Sequence, residues 1–328
     1  MIKYKFIAFI YDLRVDRAMN RGTKIFGNLR ISNSSEKISQ MFHYDFKNAI
    51  GRLEYDYLLS GPYFYVEGEI EKDNIFEEDT LGINFLNTFM EKIQFVNNCF
   101  WLIKDNSIHI ENAYLQLENG DKTKFHSNSR TAIFNSSKGE REEVTFSADE
   151  LKYPEEIFNI TYSDDSVDSA VPDKAPLYMG SRVERAFYLL QAARAQSYLP
   201  ERISIFITLL ETLFSTSNTD VTYKLRERVA WLLGKDFEGR KQIFDDMGVI
   251  YDIRSNHVHN STVPNKAKTK EDLILYSTKL EEYVRLILIK ILTEGEINKL
   301  YQKNNKGKYE DKELEKFFKD ICLGKSQD

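Results

Sequence analysis

The sequence predicts an α+β protein, in which a strand-rich N-terminal domain precedes an all-α bundle. In the first half, short runs of β-forming residues alternate with turn signals. From residue 181 onward, apolar residues recur at helical spacing. The acidic, Ser-rich stretch Tyr162 to Pro176 separates the two patterns and has little to bury. We therefore predict an N-terminal α+β domain over residues 1–165, a linker over 166–180 and a helical domain over 181–328.

The N-terminal domain is expected to be a curved sheet with one packed helix. Four segments have strand-like composition: Lys3 to Leu13, Lys24 to Ile31, Tyr63 to Ile70 and Ser107 to Leu117. Asn119-Gly120 is a strong turn dipeptide and ends the last of them. Within Leu81 to Ile103, apolar residues recur at steps of three and four, which predicts a helix.

The C-terminal domain is expected to contain five helices and a charged tail helix. Ser181 is a candidate N-cap for the first helix, and Pro200 opens the second. The second helix, Glu201 to Phe214, is nearly all apolar, which is typical of a central core helix. The later helices are predicted at Val221 to Leu233, Asp236 to Val258 with Gly248 as a potential break, Lys270 to Leu292, and Lys308 to Ile321.

Cysteine content and hydropathy indicate the cellular compartment of the protein. Two isolated cysteines, Cys99 and Cys322, predict neither a disulfide framework nor a metal site. The longest apolar run, Tyr283 to Leu292, is well below the roughly 20 residues that a membrane span needs. We expect a cytoplasmic protein that needs no metal or cofactor and makes no membrane contact.

The formal net charge of −6 is unevenly distributed. Residues 1–175 carry 20 basic and 29 acidic side chains, whereas residues 176–328 carry 25 and 22. This balance argues against tight binding to long nucleic-acid duplexes through charge alone, but it permits a compact basic cleft in the second half. We also consider that the acidic half covers such a cleft in a resting state.

The most informative segment is Ile250 to Ser261, at the end of the fourth predicted helix. It places Arg254 five residues before His259 and contains two of the five histidines of the chain. A guanidinium is a planar cation that fits phosphate oxygens, and an imidazole takes or gives a proton near neutral pH. An Arg and a His at this spacing can therefore bind a phosphate group and move a proton.

The segment Arg254-x4-His259 resembles the Arg-x(4–6)-His motif of HEPN domains. Two further blocks precede it in the order of the ApeA-like subfamily, Leu-Leu-Glu-Thr-Leu-Phe at 209–214 and Tyr-Lys-Leu-Arg-Glu-Arg-Val-Ala-Trp-Leu-Leu-Gly at 223–234. The resemblance covers roughly residues 181–295. Asn260, where a Gly is expected, and the additional His257 depart from the family pattern.

The resemblance implies an endoribonuclease that leaves 2′,3′-cyclic phosphate ends and acts as an anti-phage abortive-infection or toxin effector on tRNA or other host RNA. It also implies a homodimer in which two motifs face each other. A phage-derived trigger or an inhibitory partner would control the activity, and the N-terminal domain is the candidate sensor. The alternative is a non-catalytic HEPN module that binds RNA, nucleotide or a partner protein.

The assigned roles are phosphate stabilisation for Arg254 and proton transfer for His259. On a regular helix the two side chains lie about 140° apart, so either Arg254 reaches around or the helix loosens before His259. The candidates for support or substrate contact are Ser255, Asn256, His257, Lys266, Lys268 and Glu211.

Glu211 is an acidic residue in an otherwise apolar helix, so a partner is expected for it. We favour a structural pair with Arg226 or Arg228. Orientation of Arg254 by Glu211 is the alternative.

Overall fold

The computed structural model describes residues 1–71, 74–129, 132–161, 181–217, 219–259, 264, 266–302 and 311–325, with the backbone alone at 158–161 and 259. These residues form two compact units. The first contains Met1–Phe134 and resumes at Arg141; the second contains Asn135–Glu140 and the described residues from Ser181 onward. The architecture is α+β, as predicted: the sheets lie in the first unit, and the second unit is mostly helical.

The first unit is built on a six-stranded antiparallel sheet. The strand order is β3-β4-β5-β1-β6-β7. The strands are β1 (Ile2–Phe9), β3 (Thr23–Phe26), β4 (Leu29–Ser32), β5 (Tyr63–Ile70), β6 (Asn112–Asn119) and β7 (Lys122–Ser129). β2 (Leu13–Val15) pairs in parallel with β8 (Val144–Phe146) as a separate two-stranded sheet. Gly120, at positive φ, lies in the turn between β6 and β7, which confirms the predicted turn.

Helices cover both faces of the six-stranded sheet. On one face, α4 (Asp79–Ile103) packs against the side of β1 that carries Phe6 and Ala8. On the other face, Ile7 packs against α1 (Ser35–Met41), α2 (Phe46–Ile50) and α3 (Arg52–Ser60). Successive β1 side chains therefore enter opposite cores, as the two-residue period of a strand requires. The expectation of one packed helix was wrong, because it missed α1 to α3.

The segment predicted as one strand from Lys24 to Ile31 forms two strands. Gly27 adopts a positive φ of 53° between β3 and β4, and the chain reverses there. A glycine tolerates this conformation because it has no Cβ. Much later in the chain, a short 3₁₀ helix at Glu150–Lys152 leads into α5 (Tyr153–Thr161).

The second unit follows the predicted helix order closely. Its helices are α6 (Arg182–Arg194), α7 (Leu199–Phe214), α8 (Val221–Leu233), α9 (Phe237–His259), α10 (Lys270–Thr293), α11 (Gly295–Leu300) and α12 (Asp311–Cys322). Ser181 caps α6 in a capping box with Glu184, which confirms the predicted N-cap. Among the helices of the described ranges, none is long and apolar enough to cross a membrane.

α9 is continuous through Gly248, so the considered break is absent. A Cβ at this position would lie 2.8 Å from a guanidinium nitrogen of Arg226. The glycine therefore lets Arg226 of α8 lie directly against the α9 backbone. Its role is close helix packing, and the helix can carry Arg254 and the backbone of His259 on one rigid element.

A buried ion pair, Arg202 on α7 with Glu281 on α10, organises the core of the second unit. Nε and Nη2 of Arg202 donate to the two carboxylate oxygens of Glu281 at 2.6 and 2.9 Å. The same guanidinium donates to the carbonyls of Ala193, Arg194 and Asn135. Arg202 thus joins the C-terminal end of α6 and the segment Asn135–Glu140 to α10. The two members lie 79 positions apart, so no local pattern in the sequence predicts the pair.

Candidate functional site

The candidate site lies where the C-terminal part of α9 runs beside α7. Ile250 and Ile253 are buried and fix this face of α9 against the bundle. Arg254 follows them at the edge of the core, and about a third of its side chain (32%) remains exposed. The guanidinium is therefore positioned by the helix and is still accessible to a phosphate from solution.

Glu211 on α7 holds one edge of this guanidinium. Nη2 of Arg254 lies 3.7 Å from Oε2 of Glu211, while the hydroxyl of Tyr251 donates to Oε1 at 2.7 Å. Burial, together with the Glu211 carboxylate, raises the pKa of Tyr251 above its usual value. The phenol therefore stays protonated and donates to Glu211. This contact is the alternative that the sequence analysis considered for Glu211.

The favoured pairing of Glu211 with Arg226 or Arg228 was wrong. Arg226 donates from Nε to the carbonyl of Phe244 at 3.1 Å, and its guanidinium stacks 3.9 Å from the Phe244 ring. Arg228 binds the carbonyl of Phe214 and the carboxylate of Glu315 on α12. Both arginines are engaged in packing α8 against its neighbours, which leaves Glu211 to Arg254.

His257 forms a second polar contact between α9 and α7. Its Nε2 lies 2.7 Å from Oε2 of Glu201, in the first turn of α7. The exposed ring of Tyr198 meets the imidazole in an edge-to-face arrangement, with 5.6 Å between centroids. Because His257 follows Arg254 by three residues, the two side chains lie about 60° apart on the helix and share a face.

α7 presents a polar strip rather than an apolar surface on all sides. Glu201, Ser204, Thr208 and Glu211 recur at steps of three, four and three, which puts them on one helix face. Thr208 is exposed, between the Glu201 and Glu211 contacts along the helix. The rest of α7 is largely buried, as predicted for a core helix, and this one strip gives the site an open polar surface.

The other predicted site residues have varied surroundings. Ser255 is exposed and Asn256 is half-buried on α9, while Lys266 and Lys268 are exposed after the end of that helix. His259 is the last residue of α9, and its side chain lies outside the described part of the chain, as does Asn260. The helix does not loosen before His259, so the 140° separation from Arg254 holds for the backbone.

Sequence reasoning missed Glu201, Tyr198 and Tyr251 as parts of the site. The spacing could have predicted Tyr251, because a residue three positions before Arg254 lies on the same helix face. Glu201 had none, because its contact with His257 spans 56 positions of sequence. Only the crossing of α7 and α9 brings these two residues together.

Comparison of the chain with family models, curated proteins and solved structures gives no match. Within the residues that the structure describes, no group of three or more His, Cys, Asp or Glu side chains is arranged to hold a metal ion. The candidate site therefore rests on its own geometry.

Two further histidines, His109 and His126, are buried in the first unit. Nδ1 of His109 lies 2.8 Å from the carbonyl of Ser107, and the ring stacks on Tyr11. Burial lowers the pKa of His109 and of His126 below their usual values. The ring of His126 packs against Gly82 of α4, where a Cβ would lie 2.3 Å from its Nε2. These rings have structural roles.

Acidification from pH 7.5 to 5.5 is expected to destabilise the first unit. The unfolded chain binds a proton at each histidine near pH 6.5, whereas the folded unit resists protonation, so the free energy of unfolding falls as pH decreases through this range. The slope reaches at most about 1.4 kcal/mol per pH unit for each histidine. Urea unfolding followed by the fluorescence of Trp101, in a Trp231→Phe background, measures it.

The variant His109→Asn serves as the control for this pH effect. It removes one titrating ring and keeps an NH group near the Ser107 carbonyl, so its slope should be smaller than that of the wild type. An unfolding free energy that does not change between pH 7.5 and 5.5 would contradict the expectation.

Proposed function

We propose that this protein is a metal-independent endoribonuclease of the HEPN type. The observation that carries the proposal is the partly exposed Arg254 side chain, whose guanidinium lies near Glu211 beside an open polar strip of α7. The contact at 3.7 Å engages one nitrogen, so the remaining N–H groups can bind phosphate oxygens. His259, the last residue of α9, supplies the proton-transfer group, and the facing motifs of the proposed homodimer would bring it to the phosphate.

The chemistry follows from the nucleophile that RNA already contains. Removal of a proton from a 2′-hydroxyl lets its oxygen attack the adjacent phosphorus, and the bond to the 5′-oxygen breaks. Arg254 stabilises the additional negative charge on the phosphate, which is the largest electrostatic demand of this step. His259 donates the proton that the departing 5′-oxygen needs. The products are a 2′,3′-cyclic phosphate and a 5′-hydroxyl.

The biological part of the proposal is an anti-phage abortive-infection or toxin activity in the cytoplasm. The substrate would be tRNA or another host RNA, the active form a homodimer, and the first unit a sensor for a phage-derived trigger or an inhibitory partner. The mild positive charge of residues 176–328 is compatible with exposed RNA loops.

Cleavage of RNA in the presence of EDTA tests the function. Wild-type protein is expected to cut total RNA and leave 2′,3′-cyclic phosphate ends, whereas His259→Ala lowers the rate by about 100-fold or more. Equal cleavage by both proteins would identify a contaminating nuclease and contradict the proposal. Growth arrest of a host by the wild type, relieved by His259→Ala, is the matching cellular measurement.

A non-catalytic RNA- or nucleotide-binding module is the second candidate. One observation favours it: the carboxylates of Glu211 and Glu201 already occupy part of the binding capacity of Arg254 and His257. RNA binding by wild-type protein without any cleavage, weakened by Arg254→Ala, would support this alternative.

A further inference from the structure

The contact between Glu201 and His257 has the geometry of a carboxylate–imidazole pair. The 2.7 Å separation of Nε2 and Oε2 is that of a strong, charge-assisted hydrogen bond. The imidazole is a quarter exposed and the carboxylate nearly half exposed, so the pair is not sealed in the core. A molecule from solution can therefore reach the imidazole.

The carboxylate determines which nitrogen of His257 carries the proton. An ionised carboxylate only accepts hydrogen bonds, so Nε2 must be the donor. In the neutral ring Nδ1 then keeps its lone pair, and Nδ1 has no hydrogen-bond partner among the described residues. The edge-to-face contact with Tyr198 and the hydrogen bond to Glu201 together orient the imidazole. This is the arrangement in which a carboxylate orients a histidine as a proton acceptor.

We infer that His257, oriented by Glu201, is the proton acceptor for the 2′-hydroxyl in the proposed RNA cleavage. The inference rests on the proposed function and deepens it. Nδ1 of His257 takes the 2′-hydroxyl proton, the 2′-oxygen bonds to phosphorus, and the bond between phosphorus and the 5′-oxygen breaks. Because His259 lies about 160° around α9 from His257, the departing 5′-oxygen takes its proton from His259 of the second copy in the proposed homodimer. One proton is thereby transferred from the 2′- to the 5′-oxygen, and no redox change occurs.

The position of His257 agrees with its assignment as the proton acceptor. It shares a face of α9 with Arg254, across from the strip that carries Thr208. The assignment requires the 2′-hydroxyl of the ribose attached to the phosphate at Arg254 to reach Nδ1 of His257. The acceptor role is then filled within one chain, by a residue that the HEPN pattern does not require. Glu201 is a positioning residue because it acts through the imidazole.

An RNA with a sulfur in place of the 5′-bridging oxygen separates the acceptor from the donor. A thiolate leaves without protonation, because the pKa of a thiol is about 8.5, so the donor becomes dispensable. The sulfur is placed at a linkage that the wild-type protein cuts. We expect His259→Ala to cleave this substrate at close to the wild-type rate. His257→Ala should stay about 100-fold below wild type on both substrates.

Two further measurements distinguish chemistry from folding. Added imidazole should restore part of the activity of His257→Ala, which a purely structural role does not predict. Glu201→Gln should lower kcat with little change in KM, and Glu201→Asp should recover part of the loss. Asp252→Asn is the matched control, because Asp252 is an exposed carboxylate on α9 and its neutralisation should leave the rate unchanged.

The outcomes separate the two levels of the proposal. If His259→Ala abolishes cleavage but His257→Ala and Glu201→Gln cleave at the wild-type rate, the acceptor assignment is overturned and the nuclease stands. Recovery of His257→Ala by the sulfur substrate would reverse the roles and equally overturn it. A wild-type protein that cuts no RNA would overturn the nuclease proposal together with this inference.

Discussion

Replacing Arg202 by Met is expected to lower the free energy of unfolding of the second unit by about 3–5 kcal/mol. Both members of the Arg202–Glu281 pair are essentially inaccessible, with 0% and 1% of their side chains exposed. Removal of the cation leaves a buried carboxylate whose partner bonds at 2.6 and 2.9 Å are lost. The carbonyls at the C-terminal end of α6 lose their shared donor at the same time.

The two tryptophans allow this loss to be measured for the second unit alone. Trp101 lies in α4 of the first unit and Trp231 lies in α8 of the second. In a Trp101→Phe background, urea unfolding followed by fluorescence therefore reports on the second unit.

Two control variants test the cause of the loss. The double variant Arg202→Met with Glu281→Leu should recover much of the loss, because neither charge of this pair remains in the core. Lys299→Met, which breaks an exposed pair with Glu296, should change the unfolding free energy little. If Arg202→Met lowered the free energy of unfolding as little as Lys299→Met, the expected contribution of the buried pair would be contradicted.

The segment Asn135–Glu140 comes from the first half of the sequence but does not pack in the first unit. It belongs to the second unit, although the sequence-based boundary assigned everything up to residue 165 to the first domain. The carbonyl of Asn135 accepts from Arg202, and the hydroxyl of Ser137 contacts that of Thr278 on α10. A variant that lacks residues 1–180 would lose these contacts. Activity is therefore best compared in full-length variants.

The helices of the second unit were predictable because their signals are local. Capping by Ser181, the proline that opens α7 and the period of the apolar residues each depend on residues within a few positions of one another. In contrast, α1 and α2 are only seven and five residues long, which is too short for a clear apolar period. They are stabilised by packing against the sheet, which is a tertiary effect.

The candidate site was predictable in part for the same reason. Arg254 and His257 lie on one helix, and their spacing alone gives their relative direction. The partners on α7 depend on how two helices cross, and a carboxylate such as Glu211 can choose among several arginines. Gly248 shows the same limit: its sequence context suggested a break, whereas its missing side chain serves a contact with Arg226.

Replacing Arg254 by Lys is expected to lower the rate of RNA cleavage by about 100-fold, if the proposed nuclease is correct. Lysine keeps the positive charge but loses the planar fork. A guanidinium can leave one nitrogen near Glu211, at 3.7 Å, and direct the others at two phosphate oxygens. An ammonium group is a point charge on a flexible stem, and Glu211 would compete with the phosphate for it.

The measurement is the single-turnover rate on RNA in EDTA, with unfolding followed in parallel. Arg226→Lys is the matched control, because it removes a guanidinium that stacks on Phe244 and takes no part in the proposed chemistry. It should cut at the wild-type rate. Arg254→Ala should fall at least as far as Arg254→Lys. If Arg254→Lys retained the wild-type rate, charge alone would suffice at this position. The orientation of Arg254 by Glu211 would then contribute to stability and not to catalysis.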